Sequence, residues 1–332
     1  MENYFFSLII PVYNRPDEVD ELLQSLSKQT RSNFEVVIVE DGSTVPCKHI
    51  VDKYAQQLDI KYFSKPNSGP GTTRNYGAER ANGNYFIFFD SDCIIPESYL
   101  TEVDTELQTQ YVDAFGGPDR AHPSFTNLQK SINYSMTSFF TTGGIRGGKE
   151  KMDKFHPRSF NMGISKAAFE ATGGYSAMRF GEDVDFSLRL VEAGYSTKLF
   201  PKAFVYHKRR TDFRKFFRQV YNSGIARINL YLLHPKSLKL VHTFPSLFTI
   251  GSMVLLLGAI VCKWALLPLV LFCTIIFVDS LRENKNLKVA LLSVPASFIQ
   301  LTGYGTGFIQ AFWKRILFKS GEFKAFEKNF YK

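Results

Sequence analysis

The sequence predicts an α/β domain with a mostly parallel sheet, followed by C-terminal hydrophobic membrane helices. Three observations predict the layers. Over residues 4–92, short apolar runs rich in β-branched and aromatic residues alternate with stretches of helical periodicity, as in consecutive βαβ units. Three of the apolar runs end on polar or acidic residues: Asn14, then Glu40 and Asp41, then Asp90, Ser91 and Asp92. After residue 240, charges vanish from stretches of about 20 residues, the length that crosses a bilayer as a helix.

Each element follows in order. Residues 4–13, "YFFSLIIPVY", read as a first buried strand. Residues 17–30 place Val19, Leu22, Leu23 and Leu26 on one helical face. "FEVVIVEDGS" is a second strand running into a glycine turn, "VPCKHIVDKYAQQL" a second helix and "IKYFSK" a third strand. "GPGTTRNYGAERAN" is a glycine-led turn into a helix, with Thr72 or Thr73 near its start. "NYFIFFDSD" is the fourth strand. Sheets of this kind bind ligands at the carboxyl ends of their strands, so the acidic residues should gather along one edge. Asp90 and Asp92 stand two positions apart after a buried run. They repel each other and lose hydration, and a cation, a hydrogen-bonded turn or solvent could compensate.

Composition narrows the class. The chain has 332 residues, a formal net charge of +9 and 45% hydrophobic content. Its four cysteines, Cys47, Cys93, Cys262 and Cys273, form no CxxC pair, which argues against a disulfide framework or a zinc site and suits a reducing compartment. "MENYFFSLIIPVYN" has neither a basic lead-in nor a cleavage site, so no signal peptide is expected. Three uncharged runs follow residue 240: 243–262, 264–278 and 289–313. The first and third reach bilayer length; the second is short unless tilted or extended to Leu281. The third could be re-entrant, with "GYGTG" at 303–307 as a break. The segment "HKRRTDFRKFFRQVYNSGIAR" and the tail "KRILFKSGEFKAFEKNFYK" are basic. They favour the cytoplasmic side of an inner membrane, with the α/β domain facing the cytoplasm. The expected domains are 1–235 and 236–332. The basic cluster at 208–218 sits beside the apolar runs and points to membrane lipids. No nucleic-acid motif appears, so no nucleic acid partner is expected.

Four motifs in order, "SLIIPVYNR", "VVIVEDGS", "GPGTTRNYGAERANGNYFIFFDSD" and "FNMGISKAAFEATGGYSAMRFGEDVDFSLRLVEAGY", resemble those of family-2 glycosyltransferases. The resemblance spans residues 5–230. It implies the GT-A fold, a nucleotide-sugar donor (a UDP-sugar first), a divalent cation (Mn2+ or Mg2+) and inversion at the anomeric carbon. Carried over by position, Pro11 and Tyr13 line the base pocket and Asp41 accepts a hydrogen bond from the base. Asn14, Glu40 and Ser91 belong to the same donor site. Arg74 lies near the diphosphate or donor sugar, Asp90 near the ribose or sugar, and Asp92 ligates the metal. Asp183 is the general base, Glu182 orients acceptor or base, and Asp185 is a weaker candidate. Relatives carry a histidine near position 207, so His207 is a candidate metal or diphosphate ligand. Read alone, "GED" is simply a helix start whose acids suit the dipole.

The chain departs from the family in two places. Glu40 stands where Asp is common, which keeps the charge. The Gln-x-x-Arg-Trp motif of processive synthases is missing, which disfavours processive export. The expected reaction moves one sugar to a hydroxyl of a lipid-linked saccharide in cell-surface polysaccharide or glycolipid assembly. The alternatives are transfer to a polyprenyl phosphate, a catalytically inactive membrane-bound scaffold, and a soluble enzyme. Residues 116–155 would suit a mobile flap over donor and acceptor, and "ATGGY" a turn that admits the acceptor.

Overall fold

The computed structural model describes residues 3–143 and 155–323. Its described residues form two compact units: 3–120, 155–207 and 323 in the first, 121–143 and 208–322 in the second. The expected boundary at 235 lies inside the second unit.

The first unit is built on strands and helices in alternation. β1 (Phe6–Val12) leads to α1 (Pro16–Leu26), β2 (Phe34–Asp41), α2 (Lys48–Tyr54), β3 (Ile60–Lys65), α3 (Pro70–Ala78) and β4 (Tyr85–Phe89). All seven follow the sequence pattern. Pro16 and Pro70 open their helices, where a missing N–H costs nothing. β1, β2 and β4 are buried nearly throughout, which is why they read as continuous apolar runs rather than alternating ones.

The next elements are shorter: β5 (Cys93–Ile94), α4 (Tyr99–Thr109), β6 (Ala114–Gly116) and β7 (Asp119–Arg120). The second unit contributes α5 (Asn127–Thr137) and α6 (Phe139–Thr142). The first unit resumes with β8 (Asn161–Ser165), α7 (Lys166–Thr172), α8 (Glu182–Glu192), β9 (Thr197–Leu199) and β10 (Val205–His207).

The main sheet has the order β3-β2-β1-β4-β8-β6-β9. The pairs β3–β2, β2–β1, β1–β4 and β6–β9 are parallel; β8 runs antiparallel to both β4 and β6. A second sheet, β5-β10-β7, is small. In it His207 pairs with Cys93 and Tyr206 with Ile94, antiparallel. That register carries His207 to the end of β4, more than a hundred residues away in sequence.

The second unit continues with α9 (Phe213–Leu233), α10 (Phe244–Gly258), α11 (Leu267–Asn284) and α12 (Leu287–Ala311). Residues 121–143 do not behave as a loose flap. Thr126 and Gln129 form a capping box that starts α5. Leu128, Ile132 and Met136, at i, i+4 and i+8, pack on Phe213, Phe216 and Val220 of α9 and on Ile299 of α12. The remainder of the expected flap, 144–154, lies outside the described residues, as does the end of the basic tail, 324–332.

Two stretches, Leu240–Gly258 and Lys263–Asn284, are long and apolar enough to cross a membrane. The second apolar run is therefore the longer span rather than the short one. The third run does not break at "GYGTG": α12 passes through it as one helix. Gly303, Gly305 and Gly307 are buried in it. A Cβ on Gly307 would lie 2.1 Å from the Tyr221 carbonyl oxygen, and one on Gly224 of α9 would lie 2.2 Å from that of Tyr304. The glycines let two helix backbones touch, as small residues do between membrane helices. That close packing offsets the helix propensity lost, about 1 kcal/mol per glycine.

This contact is testable. Gly307→Ala should destabilise the detergent-solubilised protein by about 1–3 kcal/mol, since the added methyl has no space. Gly251→Ala, where nothing lies within 4 Å of the added carbon, should leave the unfolding midpoint unchanged or raise it. Equal midpoints for wild type and the Gly307 variant would remove the close-packing account.

Candidate active site

At the carboxyl edge of the main sheet the chain gathers five carboxylates and three arginines. β4 ends at Phe89, so Asp90, Ser91 and Asp92 form the turn into β5. α8 begins at Glu182, as the acidic start predicts. Gly181, at φ +89°, precedes it in a backbone conformation that favours glycine.

Arg74 ties these two places together. It is 3% exposed and donates from Nη2 to Asp90 Oδ1 at 2.6 Å and from Nη1 to Glu182 Oε1 at 3.2 Å. Its guanidinium also lies over the Tyr175 ring at 5.3 Å. α3 can present Arg74 here because Asp41 anchors the start of that helix. Asp41 Oδ1 accepts from the backbone N–H of Ser68 and Oδ2 from that of Gly69, both at 2.8 Å. Lys65 Nζ also donates to Oδ1. Neither Thr72 nor Thr73 caps the helix; their hydroxyls donate back to the carbonyls of Ser68 and Gly69.

Asp92 meets two cations or potential cations. Its Oδ1 lies 3.0 Å from His207 Nε2, and its Oδ2 lies 3.2 Å from Arg15 Nη1. Asp90 Oδ2 is 3.8 Å from the same imidazole nitrogen. The His207 ring stacks on Phe160 at 4.9 Å. Ligand atoms of Asp92, Cys93 and His207 all lie within 4.8 Å of one another. Burial holds the Cys93 thiol well above its usual range, and its soft sulfur suits a hard cation less well than oxygen or imidazole donors do. The Asp92 carboxylate and the His207 imidazole remain, with Asp90 Oδ2 near the same imidazole nitrogen, and carboxylate and imidazole donors of this kind fit Mn2+ or Mg2+.

Glu182 and Asp183 are adjacent and buried, at 8% and 9% exposure, yet their pKa values move apart. Burial pushes Glu182 up, to about 7, and the charge of Asp183 adds to that rise against the pull of Arg74. Burial would raise Asp183 too. The charge and hydrogen bond of Arg158, then Arg74 and the Val184 N–H, outweigh it and hold Asp183 below the usual carboxylate range. Geometry explains the difference. Arg158 Nε donates to Asp183 Oδ2 at 2.6 Å, whereas Glu182 shares Arg74 with Asp90. The site thus keeps one carboxylate ionised beside one that takes a proton near neutrality.

The other expected residues are placed as follows. Pro11 and Tyr13 are half-buried at the end of β1. Asn14, at φ +53°, accepts from Thr44 N at 2.7 Å and Val45 N at 2.9 Å, so it shapes the loop after β2. Glu40 is buried and accepts from the Cys47 N–H at 2.6 Å and from the Ser43 hydroxyl. Ser91 is buried within its turn. Asp185 pairs with Arg189 at 3.0 Å, and Arg189 binds the carbonyls of Thr172 and Gly174. The "ATGGY" turn is docked on α3, where the Asn75 side chain binds both backbone groups of Tyr175 at 2.8 Å.

Sequence reasoning did not single out Arg15, Lys65, Arg158 or Phe160. A signal existed for Arg15, the last residue of "SLIIPVYNR". None existed for Arg158, which meets Asp183 only through the fold.

The family model for glycosyl transferase family 2 matches residues 7–173, half of the chain. An uncharacterised glycosyltransferase of Rickettsia felis is 33% identical over 141 residues, 42% of this chain and 22% of that protein. Glycosyltransferase AglE of Haloferax volcanii is 25% identical over 253 residues, 74% of this chain and 81% of that one. The chain thus spans under a quarter of the length of some of the curated relatives it matches. Among solved structures, the mannosyltransferase PcManGT from Pyrobaculum calidifontis in complex with GDP-Man and Mn2+ superposes with a TM-score of 0.63 at 16% identity. The match covers 90% of this chain and 88% of that one. At that identity the likeness is one of fold.

The Arg158–Asp183 pair has a pH signature. A carboxylate whose folded pKa is depressed adds stability above its unfolded pKa of about 4 and loses it as pH falls through the folded value. Arg158→Gln should therefore cost about 1 kcal/mol near pH 7, since the arginine side chain is 39% exposed and the pair partly screened. The difference from wild type should shrink as pH falls below about 4. Denaturant unfolding at several pH values reads this, and a difference independent of pH would rule out the pairing.

Proposed function

The chain belongs to glycosyl transferase family 2, and on that premise we propose that it moves one sugar from a nucleoside-diphosphate sugar, a UDP-sugar first, to a hydroxyl of a lipid-linked saccharide with inversion at the anomeric carbon. The observation that carries this reading is the pairing of two sites through Arg74. Asp90, Asp92 and His207 lie at one end of the arrangement. The split pair Glu182 and Asp183 lies at the other.

Asp183 takes the proton from the acceptor hydroxyl as that oxygen attacks the anomeric carbon. The new C–O bond forms as the bond to the diphosphate oxygen breaks, and the electron pair leaves with the diphosphate. A base must be ionised before it acts, and Arg158 with the start of α8 keeps Asp183 so. Glu182, protonated near neutrality, orients the acceptor or the base by donating a hydrogen bond. Arg74 directs positive charge toward the donor. Asp92, His207 and Asp90 would hold a divalent cation, Mn2+ or Mg2+, which supplies charge neutralisation at the leaving diphosphate. Pro11, Tyr13 and Asp41 would receive the base, and Asn14, Glu40 and Ser91 support that end of the site.

The ionised buried Asp183 favours a hydroxyl acceptor over a polyprenyl phosphate, which is already an anion and needs no base. The paired carboxylate sites argue against an inactive scaffold. Two apolar helices support attachment to a membrane, and the basic stretches beside the apolar runs are the argument for an inner membrane with the catalytic domain facing the cytoplasm. Attachment raises the effective concentration of a membrane-confined acceptor, which suits cell-surface polysaccharide or glycolipid assembly.

Purified protein in detergent, screened against UDP-, GDP- and dTDP-sugars with Mn2+ or Mg2+, tests this reading. One donor should bind only with metal. Asp92→Asn should abolish that binding. Asp183→Asn should keep binding and lose turnover by roughly 10²–10⁴-fold. If no nucleotide sugar binds with either metal, the scaffold reading replaces this one.

A further inference from the structure

Phe139 and Phe140 of α6 are 70% and 45% exposed, with their rings edge to face at 5.9 Å. Two adjacent exposed phenylalanines are costly to leave in water, at about 1.5–3 kcal/mol per side chain that could be buried. They lie between strands of the first unit in sequence, yet they pack with the second unit.

Two contacts fix where in that unit they sit. The Tyr134 hydroxyl of α5 donates to Asp279 Oδ2 at 2.6 Å, near the C-terminal end of α11. Gly143, the residue that ends α6, lies against Val241, just before α10, with an added Cβ 3.0 Å from Cγ2. The rings of Phe248 and Phe272 meet at 5.0 Å. α10 and α11 therefore fold back on each other, and Val241 and Asp279 mark the same end of their hairpin. At that end Leu240, Phe244 and Leu247 are 50–73% exposed, and Lys236 and Lys239 are exposed beside them. Apolar and aromatic residues mixed with lysine at the end of an apolar helix pair are the composition of a bilayer interface.

We propose that Phe139 and Phe140 form an aromatic foot that seats in the interfacial layer of a lipid bilayer, at the polar end of the α10–α11 hairpin. The proposal rests on the membrane reading of that hairpin. It adds a second lipid contact, supplied by a segment inserted between β7 and β8. The occupant is lipid because the patch adjoins the exposed apolar start of α10 through the Gly143–Val241 contact, and because Lys236, Lys239, Arg282 and Lys285 outnumber Asp279 and Glu283 at that end, a basic balance that matches anionic headgroups.

The test uses the full chain in vesicles of phosphatidylcholine and phosphatidylglycerol, with bromines placed near the headgroup end or the tail end of the acyl chains. F139W is made in a W264F/W313F background, and F140W in the same background serves if the first fails to fold. The introduced indole should be quenched roughly twofold more by shallow than by deep bromines, as expected for burial about 5–10 Å into the boundary. A W313F protein, which keeps Trp264, reports on the hairpin itself. Quenching of Trp264 with no quenching at position 139 overturns the foot and leaves the hairpin reading standing. No quenching at either site removes both. A blue-shifted position-139 indole without vesicles, varying with protein concentration, would assign the patch to a second copy of the chain and overturn the proposal.

Discussion

The buried guanidinium of Arg74 is the interaction on which the rest of the site depends. It compensates carboxylates from two elements that are distant in sequence, Asp90 after β4 and Glu182 at the start of α8. Without a cation there, the buried Glu182 would lose hydration with little in exchange. Arg74 can hold its place only because α3 is fixed at its N-terminus, and Asp41 fixes it. The acidic end of β2 thus serves the acidic end of β4 through one helix. Removing either carboxylate would leave the buried Arg74 guanidinium with one partner fewer, which costs more than forming the pair gains.

The adjacent acids of α8 show how environment separates like groups. Glu182 and Asp183 share a helix turn and a depth of burial. One shares an arginine already engaged elsewhere. The other has Arg158 at 2.6 Å. The same sequence feature, two neighbouring carboxylates, therefore yields one group that binds a proton near neutrality and one that stays ionised. That is the division of labour an acceptor-activating site needs.

The second unit rests on a different constraint. α12 gives up side chains at Gly303, Gly305 and Gly307 so that its backbone can meet α9 and the start of α10. What looks in sequence like a helix break is a packing seam. The exposed apolar faces of α10 and α11 are left outward, and α5 and α6 join their polar end.

Sequence alone determined the alternation from β1 to β4, the acidic strand ends and the helix that opens at Glu182. These depend on local periodicity, turn chemistry and the length of apolar runs, all of which neighbouring residues carry. The motifs also named Arg74, Asp92 and Asp183 before any geometry was known. Tertiary structure decided the rest. His207 reaches Asp92 through the short β5–β10 pairing, which is too brief to leave a periodic signal. Arg158 meets Asp183 from 25 residues away in the chain, and no local spacing encodes that contact. Asp41 and Asn14 also accept backbone N–H groups of neighbouring loops, because a loop at a strand end must satisfy its own donors. Residues 121–143 joined the second unit because the apolar face of α5 packs on α9 and α12. Which partner an amphipathic helix finds is set by the whole fold and not by the helix.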